Sequence, residues 1–216
     1  PRTMAAMPAE GTLQVYVDET PPQAPPVVRA DLSVAAFVGL AAQGPLHTPV
    51  QVLDFAGFEA SFGGLASGQE LPWALWQFFG NGGDAAWVVR VPDLAPATLA
   101  GQRAAGQALF ALDAVDPAGD FGLLCLPGVT EPQVLQAAAG YCEQRHAFLI
   151  VDAPATAQSA RGLRDVLSHL PASSNAAFYH PWLQVADPHG GMARSCAPSG
   201  TLAGVYARTD RTRGPW

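Results

Sequence analysis

Three side chains of reactive type follow predicted strands in the second half of the chain. Cys125 precedes Pro127-Gly128, Asp152 follows Phe-Leu-Ile-Val, and His180 follows Phe-Tyr. Open α/β sheets bind ligands at the carboxyl ends of parallel strands, so these residues could form a Cys/His/Asp nucleophilic site. Buried cysteine is also common as a small hydrophobe, and an aspartate at a strand end often only caps a turn. An α/β hydrolase-like enzyme is therefore the weaker of two interpretations, and the stronger one gives these residues packing and capping roles.

Four residues carry the donor atoms of a metal site, namely His180, Asp187, His189 and Cys196. Their spacing matches no known ligand pattern, and Asp-Pro-His-Gly-Gly has the composition of a loop. A metal centre is accordingly not predicted.

Other catalytic and cofactor motifs do not occur in the sequence. Gly63-Gly64 and Gly68 have no following lysine, and no GxGxxG opens a helix, so no phosphate-binding loop is predicted. No GxSxG elbow exists, and Ser199 in Ala-Pro-Ser-Gly lacks the flanking residues of one. The sequence predicts a protein without catalytic residues, cofactor or enzyme activity.

Composition restricts the class of partner. The 216 residues are 49% hydrophobic but only 13% charged, which fits a folded subunit that covers much of its surface with neighbours, although genome composition could produce the same bias. The net charge is −7 and all 11 basic residues are arginine, so the sequence has no lysine-rich stripe or basic tail for contacts with nucleic-acid phosphates. We expect homo-oligomeric contacts and no nucleic acid.

The cysteines and the hydropathy pattern bear on location. Cys125, Cys142 and Cys196 are odd in number and widely spaced, so they form no disulfide framework and fit a reducing compartment. No apolar run approaches the roughly 20 residues of a membrane span, and no signal-peptide pattern is visible. The sequence predicts a soluble protein made in the cytoplasm, without membrane insertion.

The N-terminal region contains an isolated strand pattern followed by a proline-rich spacer. The predicted strand is formed by Thr12, Leu13, Gln14, Val15, Tyr16 and Val17, and the predicted hinge includes Asp18, Glu19, Pro21, Pro22, Pro25 and Pro26. Prolines at this density favour an extended, semi-rigid segment. The strand either is donated to a neighbouring subunit or folds back as an edge strand, and the residues alone leave both open. We assign residues 1–26 to this arm and 27–216 to a core domain.

Within the core, strand and helix patterns alternate. Strands are predicted at 34–39, 50–53, 87–91, 122–126, 147–151, 175–179 and 183–185, and helices at 55–62, 71–79, 131–145, 157–170 and 201–209. Asn81-Gly82-Gly83 is predicted to end one helix in left-handed backbone, Thr130 to N-cap another, and 92–107 to be a loose connector. The alternation predicts an α/β sandwich with a mixed, largely parallel sheet flanked by helices, plus an extended N-terminal β-arm.

Several of these stretches, in this order, resemble the contractile tail sheath family of bacteriophage tails and phage-tail-like injection particles. The matching stretches are 15–19, 34–39 with Gly44-Pro45, Phe62-Gly63, Phe78-Phe-Gly-Asn-Gly-Gly83, Val88-Val-Arg-Val91, 123–128, 148–152, Pro181-Trp182 and 203–210. Each motif alone is weak, but their common order over residues 12 to 214 is specific.

The resemblance implies a non-enzymatic structural subunit that stacks in helical rings around an inner tube and shortens when triggered. In the family, terminal arms donate strands to adjacent subunits, and the sheath meets a tube protein and baseplate or cap proteins. It also implies a tail or injection particle that is assembled in the bacterial cytoplasm and can be released. The short connector at 92–107 is similar to that of compact sheaths of injection particles.

One departure from the family concerns the end of the sequence. Sheath proteins continue past the Arg-Gly-x-Trp that is Arg213-Gly-Pro-Trp216 here, into a domain that contacts the tube and supplies a second arm. We therefore expect the chain to be the N-terminal part of a longer sheath protein. A short sheath-like protein that caps assembly is the alternative.

Overall fold

A six-stranded sheet between two layers of helices forms the main body of the protein. The computed structural model describes residues 33–66, 68–115, 121–157, 159–168 and 172–214. The strands in these ranges are β1 (Ala35–Gly39), β2 (Pro49–Val52), β3 (Ala86–Arg90), β4 (Leu123–Cys125), β5 (Phe148–Asp152), β6 (Ala176–Tyr179), β7 (Leu183–Val185) and β8 (Arg194–Cys196). The α-helices are α1 (Phe55–Phe62), α2 (Glu70–Gly80), α3 (Pro96–Ala100), α4 (Pro132–Arg145), α5 (Ala160–Leu167) and α6 (Ser199–Arg213). Two 3-10 helices span Arg103–Ala105 and Ala108–Ala114.

The main sheet is mixed and mostly parallel, as the alternating pattern predicted. Its strand order is β2-β3-β1-β4-β5-β6. Strands β3, β1, β4, β5 and β6 run parallel, whereas β2 pairs antiparallel with β3. Strands β7 and β8 form a separate antiparallel ribbon, with Gln184 opposite Ser195. The predicted fold class is thus confirmed for the described part of the chain.

The central strand β1 is buried on both faces, which explains its unbroken apolar sequence. Ala36 and Val38 belong to a core that also contains the buried residues of α3, α4 and the second 3-10 helix. Ala35 and Phe37 belong to the opposite core, with residues of α1, α2 and α6. Alternate side chains of one strand therefore hold the two helical layers together.

The turn between α2 and β3 is formed by Asn81-Gly82-Gly83. Only Gly82 is left-handed, with φ of 107°, while Asn81 has φ of −102°. A Cβ at Gly83 would lie 2.3 Å from the Phe78 ring, so this position has no room for a side chain. The prediction of a left-handed end to α2 is confirmed at Gly82, and Gly83 is needed for close packing.

Local predictions were wrong at two places. Helix α4 is N-capped by Glu131, not Thr130, and no side chain caps it; Pro132 occupies the first turn, as predicted. The connector at 92–107 contains α3 and a short 3-10 helix. The predicted strand at 183–185 is confirmed as β7, which pairs with β8 outside the main sheet, and β8 was not predicted.

The predicted donated strand and hinge at 12–26 lie outside the described residues, and so does the predicted boundary at residue 27. In the described ranges, none of the helices combines the length and apolarity needed to span a bilayer.

Candidate assembly surface

Asp152, the last residue of β5, is a buried acid at the carboxyl edge of the sheet that accepts three hydrogen bonds. Its Oδ2 atom accepts hydrogen bonds from the Gly128 amide at 3.0 Å and the Ser199 hydroxyl at 2.7 Å. Its Oδ1 atom accepts from the Ser199 amide at 2.8 Å. The carboxyl group therefore joins the loop after β4, the end of β5 and the first turn of α6 in a site where Asp152 is only 1% exposed.

Burial dominates the electrostatics of this carboxyl group. Desolvation raises the pKa of Asp152 to about 6, although the hydrogen bonds from Gly128 and Ser199 act in the opposite direction. The nearby Glu70 carboxylate adds a smaller upward effect on the same pKa. Asp152, which belongs to β5, thus caps the N-terminal turn of α6. The sequence suggested a capping role for Asp152 as one of two interpretations, the other being a catalytic acid.

Cys125 lies close to this cap, but in a setting that suppresses thiol reactivity. Its side chain is fully buried, and its Sγ donates a weak hydrogen bond to the Ser199 carbonyl at 3.9 Å. Burial, together with the charge of Asp152, raises the pKa of the Cys125 thiol well above its usual value. A thiol held protonated is a poor nucleophile.

His180, the third member of the hypothetical nucleophilic site, is exposed beside Pro181. Among the hydrogen bonds of the described residues, none joins His180 to Cys125 or Asp152. The structure therefore places the cysteine and the aspartate on adjacent strands without bringing the histidine to them.

The four candidate metal ligands are also separated. Cys196 is fully buried, whereas His180 and His189 are exposed. Asp187 accepts a hydrogen bond from the backbone amide of His189 at 2.8 Å, as in a polar loop. Within the described ranges, no three histidine, cysteine or carboxylate side chains converge as metal ligands.

The β7–β8 ribbon is fastened to the carboxyl edge at both strands. Arg194 of β8 forms an ion pair with Glu70, and its guanidinium lies 5.2 Å from the centre of the Trp73 ring. Trp182, next to β7, donates its indole N–H to the Ala153 carbonyl at 2.6 Å. These contacts hold the ribbon against the start of α2 and the end of β5.

Helices α2 and α6 pack in parallel, with backbone against backbone. A Cβ at Gly200 would lie 2.2 Å from the Ala74 carbonyl oxygen, and one at Gly204 would lie 2.5 Å from that of Phe78. The intervening Ala203 is fully buried. Small residues at this spacing bring the helix axes close together.

Strand β6 and the β7–β8 ribbon are much less buried than the central strands of the main sheet. From Ala172 to Ser195 no described residue is fully buried, although β6 and β7 are rich in apolar side chains. A groove of about 590 Å³ runs between β7 and the C-terminal half of α2. It is lined by Trp76, Gln77, Gly80, Asn81, Leu183, Gln184, Val185, Ala186 and Thr201, so it contains no charged side chain.

Uncharged, half-buried strands at the rim of a folded domain are typical of surfaces that are covered in an assembly. Solved structures reveal the same fold in such assemblies. The chain aligns with a protein of the contracted sheath complex of an extracellular contractile injection system, PVC, with a TM-score of 0.66 and 22% identity over 99% of this chain. This protein has the fold of a contractile sheath subunit.

Two further structures agree with that alignment. The contracted helical sheath of the anti-feeding prophage AFP gives a TM-score of 0.58 at 22% identity over 94% of this chain. A chain in the contracted AFP baseplate gives 0.63 at 20% identity over 99%. In each case this chain spans somewhat more than half of the other one, between 53% and 57%.

The sequence comparisons do not assign this chain to a family. No protein-family model matches the chain, and no curated protein matches it. The resemblance to sheath proteins is confirmed by structural likeness to sheath assemblies and concerns the fold.

Sequence reasoning missed two parts of this region. Ser199 was set aside because it lacks a nucleophile elbow, yet it is the partner of Asp152. Arg194 and Glu70 were not singled out, because their pairing joins positions more than a hundred residues apart. The Gly-x-x-x-Gly spacing of Gly200 and Gly204 is the one sequence signal that could have indicated the α2–α6 contact.

Proposed function

We propose that this protein is a structural subunit of a contractile sheath, which polymerises in helical rings around an inner tube and contracts to drive that tube into a target. The observation that carries the proposal is the shared fold with the PVC and AFP sheath structures over 94% to 99% of this chain. Its partners in this proposal are neighbouring sheath subunits, the inner tube protein and the baseplate or cap proteins. The particle is a virion tail or a phage-tail-like injection system made in the bacterial cytoplasm.

The incomplete burial of β6 and β7 supports an assembling subunit over an isolated one. The apolar side chains of these two strands are only partly buried. The charged fraction of the whole chain is only 13%. Contact with neighbouring subunits would remove this apolar surface from water, which favours association.

The proposed mechanism is a change between two packings of the same subunits. An extended assembly relaxes to a more favourable contracted one as subunit interfaces re-form. For the neighbours to remain connected, each subunit needs a tether that stays attached while the subunits move. We assign that role to the strand Thr12–Val17 and the proline-rich hinge Asp18–Pro26, for which the sequence pattern is the support.

A non-enzymatic role is part of the proposal. Cys125 is fully buried and its thiol pKa is raised, while the Asp152 carboxyl group is occupied by Ser199 and Gly128. These features support a packing role for both residues. The Cys125→Ala variant should assemble normally, and its turnover of hydrolase substrates should equal that of the original protein, at background.

The function is tested by removing the arm. Deleting residues 1–20 should leave a protein with unchanged far-UV circular dichroism that fails to enter ordered sheath, measured by sedimentation and negative-stain microscopy with the inner tube protein present. The matched control is deletion of residues 1–10, which keeps Thr12–Val17 and should assemble. The test uses the longer protein that contains this chain: normal assembly after the longer deletion would contradict the role of the arm, and failure of that undeleted protein to assemble would contradict the sheath function.

A further inference from the structure

We propose that the β7–β8 ribbon is a latch that opens from the rest of the domain as one unit while the six-stranded sheet stays folded. In this proposal the ion pair between Arg194 and Glu70 sets how often the latch opens. The opening is a property of the single chain, so the inference does not depend on the proposed sheath function. The arguments for it are the packing of the ribbon, the kind of contacts that hold it and the anchoring of its two ends.

The ribbon contributes little to either hydrophobic core. Neither core contains a described residue between Leu183 and Ser195. In β7, Leu183 and Val185 are only partly buried and Gln184 is exposed, whereas four of the five residues of β5 are buried. Lifting the ribbon therefore exposes little apolar surface, and segments with few buried apolar contacts open at a low cost in free energy.

The space beside β7 points the same way. The groove of about 590 Å³ separates β7 from the C-terminal half of α2. Close-packed protein interiors contain few voids larger than a water molecule. Strand β7 is therefore not packed against α2 as an interior strand would be, and it can move without displacing a layer of side chains.

Strand β8 is held by polar contacts of one side chain. The Arg194 guanidinium pairs with the Glu70 carboxylate and lies 5.2 Å from the centre of the Trp73 ring. It also donates long hydrogen bonds to the carbonyl groups of Ala66 and Gln69, at 3.4 and 3.3 Å. The paired side chains are 21% and 20% exposed. Because water reaches this ion pair, its contribution to stability is modest, as a reversible lock requires.

A second contact holds the end of the ribbon next to β7. Trp182 donates its indole N–H to the Ala153 carbonyl at 2.6 Å. The pairing of β7 with β8, in which Gln184 lies opposite Ser195, connects this contact to the one at Arg194. A two-stranded ribbon is at best marginally stable by itself. Loss of either contact should therefore release both strands together.

Both ends of the ribbon are anchored on elements that stay in place when it opens. On one side β6 remains paired with β5. On the other side Cys196 and Ala197 are buried, and Asp152 holds the first turn of α6. Opening of the ribbon thus keeps the main sheet and the contact between α2 and α6. It uncovers Glu70 and Trp73 at the start of α2.

Hydrogen exchange of the backbone amides in the unassembled full-length protein tests the inference. Protection factors in β7 and β8 should lie at least about tenfold below those in β5, because β5 exchanges only when the whole domain unfolds. They should also fall less steeply with low concentrations of urea, since opening of the ribbon exposes less surface than global unfolding.

Two variants separate opening of the latch from unfolding of the domain. Glu70→Gln removes the charge that pairs with Arg194, and it should lower protection in β7 and β8 by the same several-fold factor, although Arg194 belongs to β8. Asp113→Asn is the matched control, because it breaks the ion pair with Arg103, which the open latch keeps. It should lower protection in β5 and leave protection in β7 and β8 unchanged.

Several outcomes would overturn the inference. If Asp113→Asn lowers protection equally in β5 and in the ribbon, the ribbon opens only when the domain unfolds. If Glu70→Gln affects β8 alone, the two strands do not open as one unit, and if it affects neither strand, the ion pair is not the lock. Arg194→Met tests the same pair should Glu70→Gln fail to fold. Trp182→Phe, which removes the indole N–H beside β7, should in turn lower protection in β8 as well as in β7.

Discussion

Strands β1 and β6 begin with the same three residues, Ala-Ala-Phe, but their surroundings are very different. In β1 all five residues are buried, and Phe37 is fully enclosed. In β6, Ala176, Ala177 and Phe178 are all only partly buried, because β6 is the last strand of the sheet. Position in the sheet, not composition, decides burial here. An edge strand presents backbone N–H and C=O groups that can pair with another chain.

The largest difference in stability is expected between a variant that truncates Phe37 of β1 and one that truncates Phe178 of β6. Phe37→Ala should lower the free energy of unfolding by about 3–5 kcal/mol, because it leaves a cavity between two layers. Phe178→Ala should cost only about 1 kcal/mol in the unassembled protein, since Phe178 already contacts water. Urea unfolding of both variants gives the comparison, and equal losses would show that the edge is packed as tightly as the centre.

The helical layer over the centre of the sheet should be similarly intolerant of added volume. Gly204→Ala puts a methyl group 2.5 Å from the Phe78 carbonyl oxygen, so α2 and α6 must separate, at a cost of about 1–3 kcal/mol. Gly140→Ala on α4 meets no atom and should stabilise the protein by about 0.5–1 kcal/mol through helix propensity. Thermal unfolding separates the two, and a stabilising Gly204→Ala would contradict the close helix contact.

The Asp152 carboxyl group links β5, the neighbour of edge strand β6, to the central helix α6. The free energy that it contributes to folding should depend on pH. Because the pKa of Asp152 in the folded protein, about 6, lies above the usual pKa of an aspartate, its contribution to stability is complete below about pH 4 and is lost as pH rises through 6. Ser199→Ala removes one donor to the charged carboxylate, and we expect a loss of about 1–2 kcal/mol at pH 7.5.

The same substitution should cost less at pH 4.5, where the carboxyl group is neutral. Chemical unfolding at both pH values, repeated in an Asp152→Asn background, measures the coupling. In that background the cost of Ser199→Ala should no longer change with pH. A cost that is independent of pH in the original protein would mean that Asp152 does not titrate in this range.

The smallest effect on the free energy of unfolding is expected from replacing Arg211, near the exposed C-terminal end of α6. Arg211 pairs with Asp84 and donates a hydrogen bond to the Gly82 carbonyl, but the two side chains are 42% and 61% exposed. Arg211→Ala should therefore cost no more than about 1 kcal/mol, and high salt should abolish the difference. A large, salt-insensitive loss would show that the end of α6 is held as firmly as its start.

The main sheet was predictable because each of its strands has a local signature. The runs at 34–39 and 147–151 are continuous and apolar, as parallel strands covered on both faces must be. The helices 55–62 and 71–79 were indicated by periodicity, and the turn at Asn81-Gly82-Gly83 by its residue types. In these stretches the local pattern and the tertiary environment agree.

The carboxyl-edge cluster was only partly predictable. The position of Asp152 at a strand end indicated a cap or a catalytic acid, but its partner Ser199 follows 47 residues later, and no local pattern encodes that meeting. Strand β8 contains Arg-Ser-Cys, which has little strand propensity, and it forms because β7 and Glu70 provide partners. Whether a reactive residue is available to solvent depends on the fold, and Cys125 could not be assigned before its burial was known.

The glycine contact between α2 and α6 also decides how the domain bears a mechanical load. Helix α6 has 15 residues and lies parallel to α2, so a pull on its C-terminal end acts along the helix axis and loads the contacts at Gly200, Gly204 and Gly82 together, in shear. A pull on β6, by contrast, would open its hydrogen bonds to β5 one after another. If the proposed sheath function holds, force taken through α6 would move the domain as one piece.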